Sequence, residues 1–145
     1  MSVGGQDFIN FAEKCLELIK DEIGFRNTSG RAYYGVYHEI CSKLEHCYVK
    51  NSHEGVRDYL LSAASCKNEP FDKSKLRSIG ARLQNLHVQR KWADYNLSRD
   101  MYEADAVSTL NMAKATMYDI EAMYQAVYPP QVSPQAPPPV PPPAA

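Results

Sequence analysis

The chain has 145 residues, with sixteen Lys and Arg against seventeen Asp and Glu, a net charge of −1 and a mean hydropathy of −0.47. That balance excludes non-specific attraction to nucleic acid over the whole surface, so any such contact must be local. No stretch approaches the ~18 apolar residues of a membrane span, and residues 1–7 carry no basic-then-apolar signal segment, so a soluble, cytoplasmic protein without membrane contact is expected.

Apolar residues recur at helical spacing from the start. Phe8, Ala12, Cys15, Ile19 and Ile23 predict an amphipathic helix over residues 6–23, with Gly24 ending it. Residues 25–30, Phe-Arg-Asn-Thr-Ser-Gly, read as a connector with capping residues, and a second helix is predicted over 29–49. Asn51, Ser52 and Gly55 mark the next break. Val56, Tyr59, Leu60 and Ala63 then suggest a shorter helix ending before Asn68-Glu69-Pro70. Asp72 caps a fourth, whose buried stripe is Leu76, Ile79, Leu83 and Leu86. Irregular backbone is expected over 92–97. Ser98 opens the last and longest helix, in which Leu110, Ala113, Met117, Ile120, Tyr124 and Val127 form a seam that packs lengthwise on a neighbouring helix or a second copy of the chain.

No strand pattern competes. The expected fold is all-α, an antiparallel bundle of four to five helices over residues 1–128. Residues 129–145 hold nine prolines and no charge, the composition of a disordered, extended tail. Residues 134–137 and 138–141 have the PxxP spacing that aromatic grooves accept, but no Arg or Lys flanks them to set direction, so a tether is the favoured reading.

Cys15, Cys41, Cys47 and Cys66 lack CxxC spacing and are expected as free thiols in a reducing compartment. His38, Cys41, His46, Cys47 and His53 lie close in sequence. Cys47 joins the apolar face while His38 lies opposite it, so no metal site, and no cofactor, is expected.

The segment with plausible chemistry is Arg31-Ala32-Tyr33-Tyr34-Gly35-Val36-Tyr37-His38. At ~100° per residue, Arg31, Tyr34, Gly35, His38 and Ser42 share one helix face, and Tyr33, Val36, Tyr37, Ile40, Leu44 and Cys47 fall opposite. Such a helix buries one side and presents arginine and histidine together on the other. Residues 67–91 hold seven basic and two acidic side chains, and residues 100–121 five acidic and one basic. The plainer account is complementary charge between two helices; the sharper one has Lys73, Arg77 and Lys91 steering phosphates.

The run from Gly30 to His38 resembles the second-helix signature of HEPN domains, in which serine, arginine, alanine and two tyrosines lead to a histidine. His53 with Val56 and Leu60, then Leu83, Leu86, Arg90 and Ala93-Asp94-Tyr95, are similar to a second pattern of that family. The likeness spans about residues 8–127, in order. It implies a small helical bundle that commonly dimerises, and in many relatives a metal-independent RNase of toxin–antitoxin or phage-defence systems. The implied site pairs Arg31 with His38, two copies meeting at the dimer interface. Ala32 departs from the active signature, which often has a polar residue there. Relatives without activity serve as partner-binding modules, frequently beside a nucleotidyltransferase.

The pair suits RNA cleavage by the RNA's own 2′-hydroxyl. An imidazole with an ordinary pKa of ~6.5 can take or give a proton near neutral pH, and a guanidinium offers forked hydrogen bonds to phosphate without losing its charge. His38 is thus the candidate base and Arg31 the anion stabiliser. Tyr34 either stacks on a base or packs in the dimer seam, and packing is favoured. Arg90 and Asp94, four residues apart, form a local salt bridge or support the site. His46, His53 and His87 have no spacing partner and are assigned nothing. Two functions follow: a homodimeric endoribonuclease acting on RNA as a toxin or defence effector restrained by an antitoxin, or a non-catalytic module that binds a partner protein such as a nucleotidyltransferase. A scaffold acting through its proline-rich tail is the third and weakest reading.

Overall fold

Five helices, with no strand among the described residues, make up the computed structural model, which describes residues 2–131 and 139–143. They are α1 (Gly5–Leu18), α2 (Glu22–Lys43), α3 (His53–Leu61), α4 (Lys73–Tyr95) and α5 (Glu103–Val127). The central element is α2, which packs on α1, α4 and α5, while α3 lies on α4 and α5 closes against α4 and α1. The expected stripe of Leu76, Ile79, Leu83 and Leu86 is buried, as are Leu110, Ala113 and Ile120 of the last helix. Each such large side chain contributes about 1.5–3 kcal/mol by leaving water. In the α5 seam Met117 and Tyr124 are only partly buried and Val127 is 36% exposed, so the seam loosens towards its end.

Several expected boundaries move, each for a tertiary reason. The first helix stops at Leu18, and Gly24 lies inside α2 instead of ending α1. Its role is close approach: a Cβ on Gly24 would sit 2.1 Å from the Ile19 carbonyl oxygen. Asp21 caps α2 by accepting from the Gly24 amide at 3.0 Å.

The expected connector over 25–30 is helical throughout. Its polar side chains bond within the helix, Thr28 Oγ1 donating to the Gly24 carbonyl at 2.9 Å and Asn27 Nδ2 to that of Ile23 at 2.8 Å. Arg26, 5% exposed, reaches across to the C-terminal end of α4. There it donates to the carbonyls of Trp92 and Ala93, both at 3.0 Å, of Asn96 at 3.2 Å and of Arg99 at 2.5 Å. Glu22 takes Arg26 Nη2 at 2.8 Å and the Met101 amide at 3.1 Å.

This tether explains why residues 92–95 are helical where irregular backbone was expected: the orphan carbonyls of the last turn have a buried guanidinium as partner. Trp92 and Ala93 form a small second core with Met101 and Phe25. Ser98 bonds Asn96 and does not open α5, whose N-cap is Tyr102 with Asp105 Oδ2 accepting from its amide at 2.8 Å.

At the other end, α2 stops at Lys43 rather than near residue 49, because the buried Glu69 carboxylate takes the next two amides, of Glu45 at 2.6 Å and of His46 at 2.9 Å. Ser52 caps α3 by accepting from Gly55. Asp72 caps α4 by accepting from Lys75, as expected. One ion pair, Arg82 with Asp119, realises the complementary charge expected between the fourth and fifth helices. Of the expected tail, residues 129–131 and 139–143 are exposed and form no helix, while residues 132–138 and 144–145 lie outside the described residues.

Candidate active site

The face around Arg31 and His38 is built where α1 crosses α2. A Cβ on Gly5 would fall 2.4 Å from the Gly35 carbonyl oxygen, and one on Gly35 would fall 2.6 Å from Ile9 Cδ1, so two glycines allow near contact of the backbones. That crossing corrects the expected division of α2 into one buried and one free side. Gly35 is covered by α1, whereas Arg31 and Tyr34 are half-buried and His38 is exposed at the rim of the crossing. It also brings Phe8 to His38, with ring centroids 4.9 Å apart.

Tyr34 organises this face. The Arg31 guanidinium stands 5.0 Å from its ring centroid, Arg90 5.3 Å, and the His38 ring 6.1 Å. Arg90 Nη2 donates to the Tyr34 hydroxyl at 2.8 Å. Arg31 forms no salt bridge among the described residues; it borders a shallow hollow with Val3, Phe8, Phe11 and Asp7, whose carboxylate accepts from the Gly4 amide. Its charge is thus held by an aromatic ring and open to an anion. Ala32 is wholly buried, so the position after the arginine belongs to the core and not to this face.

Two histidines that spacing along the chain leaves without partners converge here. The His53 ring, in the first turn of α3, lies 4.3 Å from that of Tyr37 and 5.8 Å from that of His87 on α4. Tyr33 is fully buried, and its hydroxyl is 2.7 Å from His53 Nδ1. Burial, more than its charged neighbours, raises the Tyr33 phenol well above its ordinary value and pushes that of Tyr37 up to about 12, so both stay protonated and can donate. With Tyr33 as donor, His53 Nδ1 accepts and its proton sits on Nε2. Burial first, then the positive charge of Arg90 and the neighbouring His38, lowers the pKa of His53. Burial first, then His53, Lys91 and Arg90, lowers that of His87. Both imidazoles are therefore kept neutral. Among the described residues no three His, Cys, Asp or Glu side chains gather as metal ligands.

The other expected site residues separate into two groups. Arg90, Lys91 and Asp94 lie beside this cluster, at the C-terminal end of α4. Arg90 Nε is 3.0 Å from Asp94 Oδ2, a close ion pair not aligned as a hydrogen bond. Lys73 and Arg77 are towards the opposite end of α4, ~25 Å and ~20 Å along the axis from Arg90. Lys73 is bound to the carbonyls of Glu69 and Phe71. These two residues do not share a site with Arg31 and His38. Part of what spacing overlooked was legible: His87, Arg90, Lys91 and Asp94 stand at i, i+3, i+4 and i+7 on one helix face. The place of His53 depends on how α3 docks, which no local pattern gives.

Comparison with protein-family models, with curated proteins and with solved structures finds no match for this chain. The helical bundle has no span long and apolar enough to cross a membrane among the described residues.

Proposed function

We propose that this chain is a HEPN-like, metal-independent endoribonuclease that acts as a homodimer. The observation that carries the reading is the gathering of Arg31 and His38 about one ring, the guanidinium 5.0 Å and the imidazole 6.1 Å from the Tyr34 centroid, beside an open hollow lined by Val3, Asp7, Phe8 and Phe11. Phe11 is 53% exposed and Val3 73% exposed, apolar surface that a second copy would cover.

The reaction follows from the groups present. His38 takes the proton of a ribose 2′-hydroxyl, whose oxygen attacks the adjacent phosphorus. The bond from phosphorus to the 5′-oxygen breaks, leaving a 2′,3′-cyclic phosphate and a 5′-hydroxyl. Arg31 holds the phosphate oxygens as negative charge builds on them. The departing 5′-oxygen needs a proton from a second acid, which His38 of the other copy supplies across a two-fold axis.

The test is cleavage of labelled total RNA and transfer RNA by purified protein in EDTA. His38→Ala and Arg31→Ala should each reduce cutting about 100-fold or more while leaving the helical circular dichroism unchanged. Parental rates in both variants would refute the assignment.

A second reading has the same face binding a partner protein, such as an antitoxin or a nucleotidyltransferase, without chemistry. The exposed Val3 and Phe11 favour it equally well. Its mark is co-purification with a neighbouring gene product, disrupted by Phe11→Asp, with no nuclease activity in either protein.

A further inference from the structure

Beside the Arg31/His38 face, the first turn of α3 and the last turns of α4 line a shallow, open cleft of about 310 Å³, at the small end of ligand pockets. Its chemistry is unlike that of the surface around it. His53 and Glu54 come from α3, and His87, Arg90, Lys91 and Tyr95 from α4. Lys91, two imidazoles and the Arg90 guanidinium, whose Nε side is paired with Asp94, face the one lining carboxylate, Glu54. The α3 N-terminal turn adds backbone amides to the same wall, which favour a negative charge.

The cleft also has an aromatic platform. Tyr95 is 70% exposed, and Arg90 stands 5.3 Å from its centroid. A cation behind one face of an exposed ring leaves the other face for a nucleobase. The two imidazoles, neutral when the cleft is empty, hydrogen-bond an anion better once they take up a proton beside it.

We propose that this cleft binds one nucleotide of a single-stranded RNA, its phosphate between Lys91, Arg90 and the α3 N-terminal turn with His53 and His87 against its oxygens, and its base stacked on Tyr95. The inference rests on the RNA-cleaving reading for its setting. Arg90 links the two places, since the guanidinium that lines the cleft also holds Tyr34, the ring that Arg31 and His38 both neighbour. The nucleotide held here is therefore a neighbour of the one being cut.

Binding can be followed without cleavage. The full chain is titrated with adenosine 3′-monophosphate, and separately with inorganic phosphate, while the histidine ring signals are read by NMR. Adenosine 3′-monophosphate should move the His53 and His87 signals and raise their pKa values. Lys91→Glu should weaken both ligands about tenfold, whereas Tyr95→Ala should weaken the nucleotide about tenfold and leave inorganic phosphate unchanged. Arg77→Glu, at the far end of α4, should change neither. Both test residues are exposed, so the fold is expected to tolerate their loss. Unmoved His53 and His87 signals would overturn the proposal, as would equal weakening by Arg77→Glu, which marks diffuse attraction. Specific nucleotide binding in a chain that cuts no RNA would uphold the cleft and refute the nuclease. RNA cutting with unaltered KM in Lys91→Glu and Tyr95→Ala would do the reverse.

Discussion

Arg90 reaches from α4 to the Tyr34 hydroxyl on α2 at 2.8 Å, so the ring that Arg31 and His38 both neighbour is fixed by a residue of another helix. Tyr34→Phe keeps the ring beside both guanidiniums and removes one hydrogen bond to a charged donor. It should cost about 1.5 kcal/mol in chemical denaturation, with the denaturant slope unchanged. Tyr34→Ala should cost more, because both cation–ring contacts go with it. Equal stability of Tyr34→Phe and the parent would show that the bond to Arg90 contributes nothing.

Arg26 is the residue on which the C-terminal end of α4 depends. Its guanidinium donates to the carbonyls of Trp92, Ala93, Asn96 and Arg99, adding to the Asn96 amide on Trp92 and the Trp92 indole on Arg99, and it is bound by Glu22. Arg26→Met keeps much of the buried volume, removes all four of these hydrogen bonds and leaves the Glu22 carboxylate without its guanidinium. The expected loss is about 3 kcal/mol, with early amide exchange at residues 92–96 by hydrogen-exchange mass spectrometry. A loss below about 0.5 kcal/mol would be at odds with this role.

How far the fold was legible in the sequence depends on range. The stripe of Leu76, Ile79, Leu83 and Leu86 and the Asp72 cap are local patterns, and both stand in α4. The run Arg26-Asn27-Thr28-Ser29-Gly30 has the local chemistry of a connector and is helical where the end of α4 and the turn after it supply Arg26 with partners 66 to 73 positions away. Glu69 ends α2 from 24 residues downstream in the same way. The Arg31/His38 face was legible because it lies on one helix. His53 and Phe8 reach it only through the docking of α3 and α1.

Acid should destabilise the domain through His53 and His87. Each is held below its ordinary value of 6.5 in the folded chain, so between 6.5 and the folded value the unfolded chain binds more protons. Stability from this source is complete above about pH 6.5 and is lost as pH falls from there through the folded values. The groups that press on them are Arg90, Lys91, Arg57 and His38, with Tyr33 and Tyr37 neutral. The midpoint of thermal unfolding should therefore fall from about pH 7 to about pH 5, ahead of the carboxylate range. The slope should flatten in His53→Gln with His87→Gln. A midpoint that rises on acidification would contradict the sign.

Glu69 is 3% exposed and accepts from the amides of Glu45 and His46 and from the Tyr59 hydroxyl. Burial, then the Glu69 charge, raises the Tyr59 phenol, which stays a donor. Glu69→Ala strands three donors and should cost about 3 kcal/mol, while Glu69→Gln, which keeps one acceptor oxygen, should cost about half as much. Similar losses in the two variants would mean that side-chain volume matters here and hydrogen bonding does not.

The crossing of α1 over α2 offers the sharpest steric test. A methyl group on Gly35 would meet Ile9 Cδ1 at 2.6 Å, Ile9 Cγ1 at 2.7 Å and the Gly5 carbonyl oxygen at 3.0 Å. Gly35→Ala should therefore cost about 1–3 kcal/mol even though alanine is the better helix former. Because α1 must move away, the Phe8 ring should leave His38, and the His38 ring signals should shift with it. Ile9→Ala removes the two nearest carbons at its own cost of about 2–5 kcal/mol. In that background Gly35→Ala should cost clearly less than it does alone, a coupling of about 1 kcal/mol or more in a double-mutant cycle. Strict additivity would mean that the two side chains do not compete for the same space, and that α1 is held against the Arg31/His38 face by contacts elsewhere along its length.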